Sequence, residues 1–421
     1  MKRPRLNAQT WAALLSSLFL PAASECATNE PESSSSARNP MLHAVGTQLV
    51  DGQGKTVHLH GVNLGGWMLW EGWMYGGGFD SESVILDRLN TLAGREATRA
   101  FRDGFYSNYI RDDDLRKIAA LGFNSVRVPV NYRMLLSDPD KAGAQDAGWQ
   151  LLDRLFDWCD QCHLYAIIDL HAAPGGQASL FTADKGDAKL TLWQSGEYQH
   201  KTVALWRAVA TRYKNRTSLA GFDLINEPDP ARGRSWLELS RQLAEAVRTE
   251  DKQHLIFIEG GGLATDFSMF DKPLDANMAY SFHIYTWFGD DRSRRLKNYE
   301  TLAISQNVPV WVGEFGENSY DMIGTTVQMF EKCPEFCGWC FWPWKRVSAK
   351  SPGLVTVNAS PEWLRVVKWI SHPLLNPKPG AEAARQAMSA FLESVKLSNA
   401  QVDQKMVHEL LSRAPSPQDS K

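Results

Sequence analysis

Short apolar runs recur along this chain: "FNSVRVPV", "LYAIIDLH", "LAGFDLIN", "HLIFIEGG", "MAYSFHIY", "VPVWVGEF" and "GWCFWPW". Runs of this length, rich in Val, Ile and Phe, read as buried strands. An earlier stretch, "TQLVDGQGKTVHLHGVNL", alternates around Asp51-Gly52 and Gly54 and reads as a hairpin leading into a first strand. Between the runs, "DLRKIAALG", "WQLLDRLFDWCDQC", "EYQHKTVALWRAVATRYK", "SWLELSRQLAEAVRTE" and "TVQMFEKC" space their apolar residues as helices do. Eight strands separated by helices over roughly 330 residues is the count of a closed (β/α)₈ barrel, not of an open doubly wound sheet. The barrel is expected over residues 41–375. From 376 to 421 follow a helical extension, spaced as helix from Ala381 to Leu411, and a polar tail. This extension is too short to build its own core.

The first residues read as an address. Lys2, Arg3 and Arg5 precede the apolar "WAALLSSLFLPAA", and the small residues of "PAASECA" suit cleavage after Ala23 or Ser24. Residues 1–24 are thus an expected signal peptide and 25–40 a Ser-rich linker, which predicts an exported protein, periplasmic or secreted. Lipidation of Cys26 is the alternative, and Glu25 before it argues against that reading. No later stretch approaches the ~20 apolar residues of a membrane span.

Composition narrows the partner. With 43% of 421 residues apolar and 22% charged, the chain can bury a large core. A net charge of -3 with both signs dispersed gives no face for nucleic acid and favours an uncharged ligand. Sixteen tryptophans against 18 phenylalanines is more flat surface than a core needs, so some rings are expected to face a ligand. The six cysteines leave a Cys333–Cys337 pairing open. A zinc site built from Cys159, Cys162 and the 333–340 cluster would need four converging thiolates, which the spacing does not demand. No GxGxxG or phosphate loop opens a helix, and no cofactor is expected.

In such barrels the chemistry sits where the strands end. Here Arg127 interrupts "NSVRVPV", and His171, Asn226 with Glu227, Glu259, His283 with Tyr285, Glu314 and Trp342 close the later runs. Any one of them fits a structural role; gathered on one rim they point to a site. Glu227 and Glu314 belong to the fourth and seventh barrel strands, which face one another across the mouth. Paired carboxylates there fit glycoside hydrolysis, in which one acid protonates the leaving oxygen while the other attacks or activates water. Metal ligation is the competing use of these acids with His171 and His283. There is no HExxH and no compact ligand cluster in sequence, so no metal is expected.

"GVNLGGW", "FNSVRVPV", "IIDLHAAPGGQ", "LINEP", "HIY", "VGEFG" and "GWCFWPWK", in this order, resemble glycoside hydrolase family 5, a retaining (β/α)₈ family, over about residues 43 to 375. "GVNLGGW" followed by Glu71, "DLHAAPGGQ" and "FWPWK" are most similar to its branch of exo-β-1,3-glucanases and related β-glucosidases. The resemblance implies Glu227 as general acid/base and Glu314 as nucleophile. It places Asn226 on the sugar 2-hydroxyl, Arg127 and Tyr285 beside Glu314 among the sugar-binding residues, and His171 and His283 on hydroxyls. Glu71 falls at the far end of the ring and Trp342 beneath it as a platform. Trp287 and Trp344 are further candidate platforms, and Glu259 a supporting partner behind the acids. A cation beside Glu314 would keep it ionised, while Glu227, with no such neighbour in this reading, would hold its proton. The implied partner is a β-linked oligo- or polysaccharide or a glucoside. Cellulose, mannan and glucosylceramide are alternatives within the family, and a non-catalytic carbohydrate-binding barrel is the alternative of another class. Exo or endo action rests on loops such as "WMYGGGFDSES" and "FTADKGDAKLTLWQ", which either wall off the cleft or leave it open.

Overall fold

A computed structural model describes residues 41–136, 144–189, 191–230, 233–287, 289–347 and 353–412. The expected signal peptide, linker and Cys26 lie outside the described residues. Strands β1 (His43–Val45) and β2 (Gln48–Val50) form an antiparallel hairpin. Then β3 (Leu59–Asn63), β4 (Ser125–Asn131), β5 (Tyr165–Ala172), β6 (Leu219–Asp223), β7 (Leu255–Glu259), β8 (Met278–Ile284), β9 (Val310–Gly316) and β10 (Phe336–Trp342) follow. They pair in parallel and in chain order, and β10 returns to β3 to close the barrel. The (β/α)₈ expectation is therefore met strand for strand.

Two details of the sequence reading move. A hairpin turn not expected from sequence comes first, at Gly46 and Thr47, where Gly46 takes φ +60°. The expected turn at Asp51-Gly52 follows it and lets Val50 pair antiparallel with Thr56; there the Asp51 carboxylate accepts the Gln53 and Lys55 N–H groups at 2.8 and 3.0 Å. Four helices were also not read from spacing: Glu82–Ala93, Arg95–Asn108, Arg292–Gln306 and Pro361–Ser371. Arg292–Gln306 hides behind its own charge, since only Arg292, Leu296, Tyr299 and Ala303 are buried in it. The five described cysteines, Cys159, Cys162, Cys333, Cys337 and Cys340, are all free thiols, so the Cys333–Cys337 pairing is not formed.

Alternation along the strands sorts the core into two layers. Val126, Ile168, Phe222, Ile256, Phe282 and Val312 face out and pack in the shell that includes the helices' buried residues. Tyr165, Ile167, Leu255, Phe257, Ala279 and Trp311 face in, with Leu42 and Leu49 of the hairpin region packed against them. Higher up the same inward ladders the side chains turn polar: Tyr165, Ile167, then Asp169 and His171; Leu255, Phe257, then Glu259. The barrel floor is greasy and its upper layers are charged.

Beyond β10 come three short strands, β11 (Lys345–Val347), β12 (Val355–Val357) and β13 (Gln401–Val402), which form one small sheet. Among the described residues the extension also holds helices Ala381–Ser394 and Gln404–Leu411, with the short turn Leu397–Asn399 between them. Among the described residues no helix is long and apolar enough to cross a membrane.

Candidate active site

Arg127 is the centre of the upper layer. It is wholly buried on the third residue of β4, and acids from four neighbouring elements close around its guanidinium. Nε donates to Asp223 Oδ2 at 2.9 Å, Nη1 to Glu314 Oε1 at 2.6 Å and to Asn63 Oδ1 at 3.1 Å. Nη2 donates to Asn226 Oδ1 at 2.8 Å and Glu259 Oε1 at 3.0 Å and lies 3.1 Å from Asp169 Oδ2. Burial opposes its charge, but the surrounding carboxylates outweigh that and hold the guanidinium firmly protonated. One cation does not match all these acids. Burial pushes Asp169 up to about 8 in spite of Arg127, and burial beside Glu259 raises Asp223 as well.

Glu227 and Glu314 stand above this layer. Glu314 takes Arg127 on one oxygen and the Tyr285 hydroxyl on the other, at 2.8 Å. Glu227 follows β6 by four residues and has φ +46°, a conformation rare for a residue with a side chain. Glu259 pins it, its Oε2 accepting the Glu227 N–H at 2.6 Å, while Gln177 Nε2 donates to the Asn226 carbonyl at 2.9 Å. His283 lies between the acids: Nδ1 is 3.0 Å from Glu227 Oε1 and 3.6 Å from Glu314 Oε2, and Nε2 is 3.3 Å from Glu259 Oε1. Burial works against protonation of this ring, but Glu259, Glu314 and Glu227 together raise it well above the usual histidine range. Carboxylate oxygens of Glu227 and Glu314, with a ring nitrogen of His283, all lie within 4.8 Å of one another.

Two carboxylates thus face each other at the mouth of a closed barrel, one four residues past its fourth strand and one on its seventh. Residues 87–348 match the family described as Cellulase (glycosyl hydrolase family 5). The chain belongs to glycosyl hydrolase family 5. It is a glycoside hydrolase by that membership. Among curated relatives it is 29% identical over 365 residues to a beta-xylosidase of Phanerodontia chrysosporium, covering 78% of this chain and 75% of that protein. It is 32% identical over 215 residues to "Probable glucan 1,3-beta-glucosidase A" of Aspergillus fumigatus, covering 49% of this chain. The chain thus spans about half the length, 51%, of that second relative. A rutinosidase from Aspergillus niger shares the fold at 19% identity and a TM-score of 0.56, over 70% of this chain and 92% of its own.

Within this family 5 site, the remaining residues singled out from sequence fall into distinct positions. Glu71 is buried and accepts Trp73 Nε1 at 2.6 Å, and its other oxygen points 3.7 Å from His171 Nε2. Burial raises the Glu71 carboxyl well above its usual range. His171 is fixed by Asp169 at 2.6 Å and stacks on Trp342 with centroids 5.5 Å apart and planes 5° from parallel; burial pushes its pKa down to about 4. Trp342 has room because residue 65 is glycine, whose missing Cβ would meet the ring at 2.7 Å. Trp287 is 54% exposed and stacks on Tyr285 at 4.4 Å.

Four expectations change. Arg127 was expected among the sugar-binding residues, but it is buried and its nitrogens are taken by protein acceptors, so it positions the others. His283 was expected on sugar hydroxyls, and its two nitrogens face carboxylates instead. Glu227 is not without a neighbouring cation, because His283 supplies one. Trp344 is no platform: it is fully buried and donates Nε1 to Asp114 at 2.9 Å. Asn63, Asp169, Asp223 and Gln177 were missed. Asp169 and Asp223 lie inside the apolar runs as read, while Asn63 closes β3 as a polar residue the run of strand ends should have included; inward alternation from Arg127 and His171 was the signal that would have found Asp169.

The hub makes a stability prediction. Arg127→Met should cost on the order of 3–5 kcal/mol, because it leaves several buried acids facing one another without their cation. Urea unfolding of the two proteins measures this; a loss under about 1 kcal/mol would show that the acids do not depend on Arg127.

Proposed function

We propose that the protein is an exported, retaining, exo-acting β-glycosidase that removes one terminal sugar from a β-linked glucan or glucoside. The observation that carries the retaining mechanism is the pairing of Glu227 and Glu314, whose facing carboxylate oxygens lie within 4.8 Å. Retaining enzymes hold their carboxyl groups about 5–5.5 Å apart, whereas inverting ones leave about 6.5–9.5 Å for a water. In the first step Glu314, held by Arg127 and Tyr285, attacks the anomeric carbon. The carbon–oxygen bond to the leaving group breaks as Glu227 gives that oxygen its proton. Glu227 is then a carboxylate with His283 Nδ1 3.0 Å from its Oε1. In the second step Glu227 takes a proton from water, the water oxygen bonds the anomeric carbon, and Glu314 leaves. The Asn226 amide is aimed by its oxygen bond to Arg127, which suits it to the sugar 2-hydroxyl, a contact that strengthens in the transition state.

Exo action is supported by how the site deepens. Side-chain exposure falls from 15% at Glu227 to 6% at Glu314 and 2% at Glu71. Beside Glu71, Trp73 spends its N–H on that carboxylate and carries the Arg346 guanidinium 4.4 Å over its ring. A sugar seated between Trp342 and Glu71 meets this pair at its non-reducing end. The first product from laminarihexaose is therefore expected to be the monosaccharide alone. Trp73→Ala should lower kcat/KM about ten-fold by leaving Glu71 without its donor, and let disaccharide appear. Early disaccharide from the wild type, read by chromatography, would show that the end is open.

A terminal β-xyloside is the second reading, favoured by the longer match to the beta-xylosidase, 78% of this chain against 49%. Product release from laminari-, cello- and manno-hexaose, xylobiose and glucosylceramide separates the readings. Monosaccharide from one of them names the glycone; five intact substrates would count against catalysis and leave a sugar-binding barrel. The basic start, short apolar stretch and small-residue site of residues 1–24 support export.

A further inference from the structure

The extension after the barrel takes no part in closing it, yet it meets the turn that carries Trp73 directly, at Tyr75, and the strand that carries Arg346 through β12. On one side, Phe391 stacks on Trp363 with centroids 4.0 Å apart and planes 6° from parallel, and reaches Tyr75 and Phe105 at 6.3 Å each. Trp363 donates Nε1 to the Tyr75 carbonyl at 3.0 Å. Tyr75 ends the single turn Gly72–Tyr75 that contains Trp73. Asn108 donates to the Leu392 carbonyl at 3.0 Å, and Leu392 occupies the space a Cβ on Gly104 would take. On the other side, β13 pairs with β12, and β12 holds β11 in the register Arg346 to Thr356. The Asp403 N–H adds a bond to the Leu354 carbonyl at 2.9 Å. The two sides meet at Gly76, where a Cβ would lie 2.8 Å from Leu364 and 3.3 Å from Val347.

We propose that residues 381–412 are a positioning clamp: they hold the Trp73 turn and the Arg346 strand together, and so set the blind end of the pocket and the length of glycone it accepts. The proposal rests on reading the Glu71–Trp73 end as the glycone end. A merely stabilising extension would contribute to unfolding free energy without influencing which bond is cut. The clamp instead couples packing near Phe391 to a wall of the site.

The test uses the full chain with Phe391→Ala and, as the conservative control, Phe391→Leu. Three readouts are compared with wild type: amide hydrogen exchange at residues 72–77, the kcat and KM split on an aryl β-glycoside, and the first products from laminarihexaose. The clamp predicts faster exchange at 72–77 and a KM raised about ten-fold with kcat within about three-fold. It also predicts disaccharide among the first products, with Phe391→Leu restoring most of each. A lower melting temperature with exchange, KM and products unchanged would overturn it, as would faster exchange that leaves KM and products at wild-type values. If the wild type itself yields disaccharide, the glycone-end reading fails, and the exchange at 72–77 decides separately whether the extension holds that turn. Where Phe391→Ala does not fold, Leu392→Ala, half-buried against Gly104, takes the same readouts.

Discussion

Glu314→Ala should lower kcat on aryl β-glycosides by at least about 10⁴-fold while leaving the barrel folded, because it removes the atom that forms the covalent bond. Loss of activity alone would not separate a nucleophile from a supporting carboxylate. The separation comes from adding azide. With the carboxylate gone, a small anion can enter the space between Arg127, Tyr285 and the anomeric carbon and attack from the same face. The product is then the α-glycosyl azide. Rescue with formation of that anomer, read by NMR, is the expected result. No rescue, or residual activity within about ten-fold of wild type, would remove Glu314 from the chemistry. Glu259 provides the control. It is buried beneath Glu227 and never faces the pocket, so a Glu259 variant should show no azide product at all.

The second large effect is a dependence on the leaving group. Glu227→Ala should lower kcat/KM by about 10²–10⁴-fold for a sugar or alkyl leaving group, which needs a proton, and by only a few-fold for a dinitrophenyl one, which does not. Turnover of the dinitrophenyl substrate then becomes limited by the second step, since no base activates water, and a burst of phenolate equal to the enzyme concentration is expected. Azide here accelerates the second step and gives the β-glycosyl azide. Equal losses on both leaving groups would mean that Glu227 holds the site together without transferring a proton. His283 complicates neither outcome: its cation is anchored by Glu259 and Glu314 as well, so it remains when Glu227 is gone.

The barrel was legible because its strands are buried on both faces, and such strands read as short apolar runs whatever lies between them. The rim was legible for the complementary reason: Glu227, Glu314 and His171 are polar where those runs stop. What stayed hidden depended on three-dimensional company. Asp169 and Asp223 look like interruptions of apolar runs until Arg127 from another strand is placed between them. The state of His283 follows from three acids, Glu259 and Glu314 on two other strands and Glu227 past the end of a third, none near it in sequence. Arg346 lies far along the chain from Trp73, and only the fold lays its guanidinium over that ring. The helix Arg292–Gln306 was missed because its polar surface outweighs its narrow buried stripe.

The central claim is that Glu314 forms a covalent bond to the sugar. The most direct measurement is mass spectrometry of the wild-type protein after incubation with an activated 2-deoxy-2-fluoro-β-glycoside, whose second step is slow, followed by peptide mapping. The account predicts one sugar per chain, attached to Glu314 in the peptide containing "VWVGEFG". A label on Glu227, Glu259 or Glu317, or no label together with an α-configured first product, would contradict it.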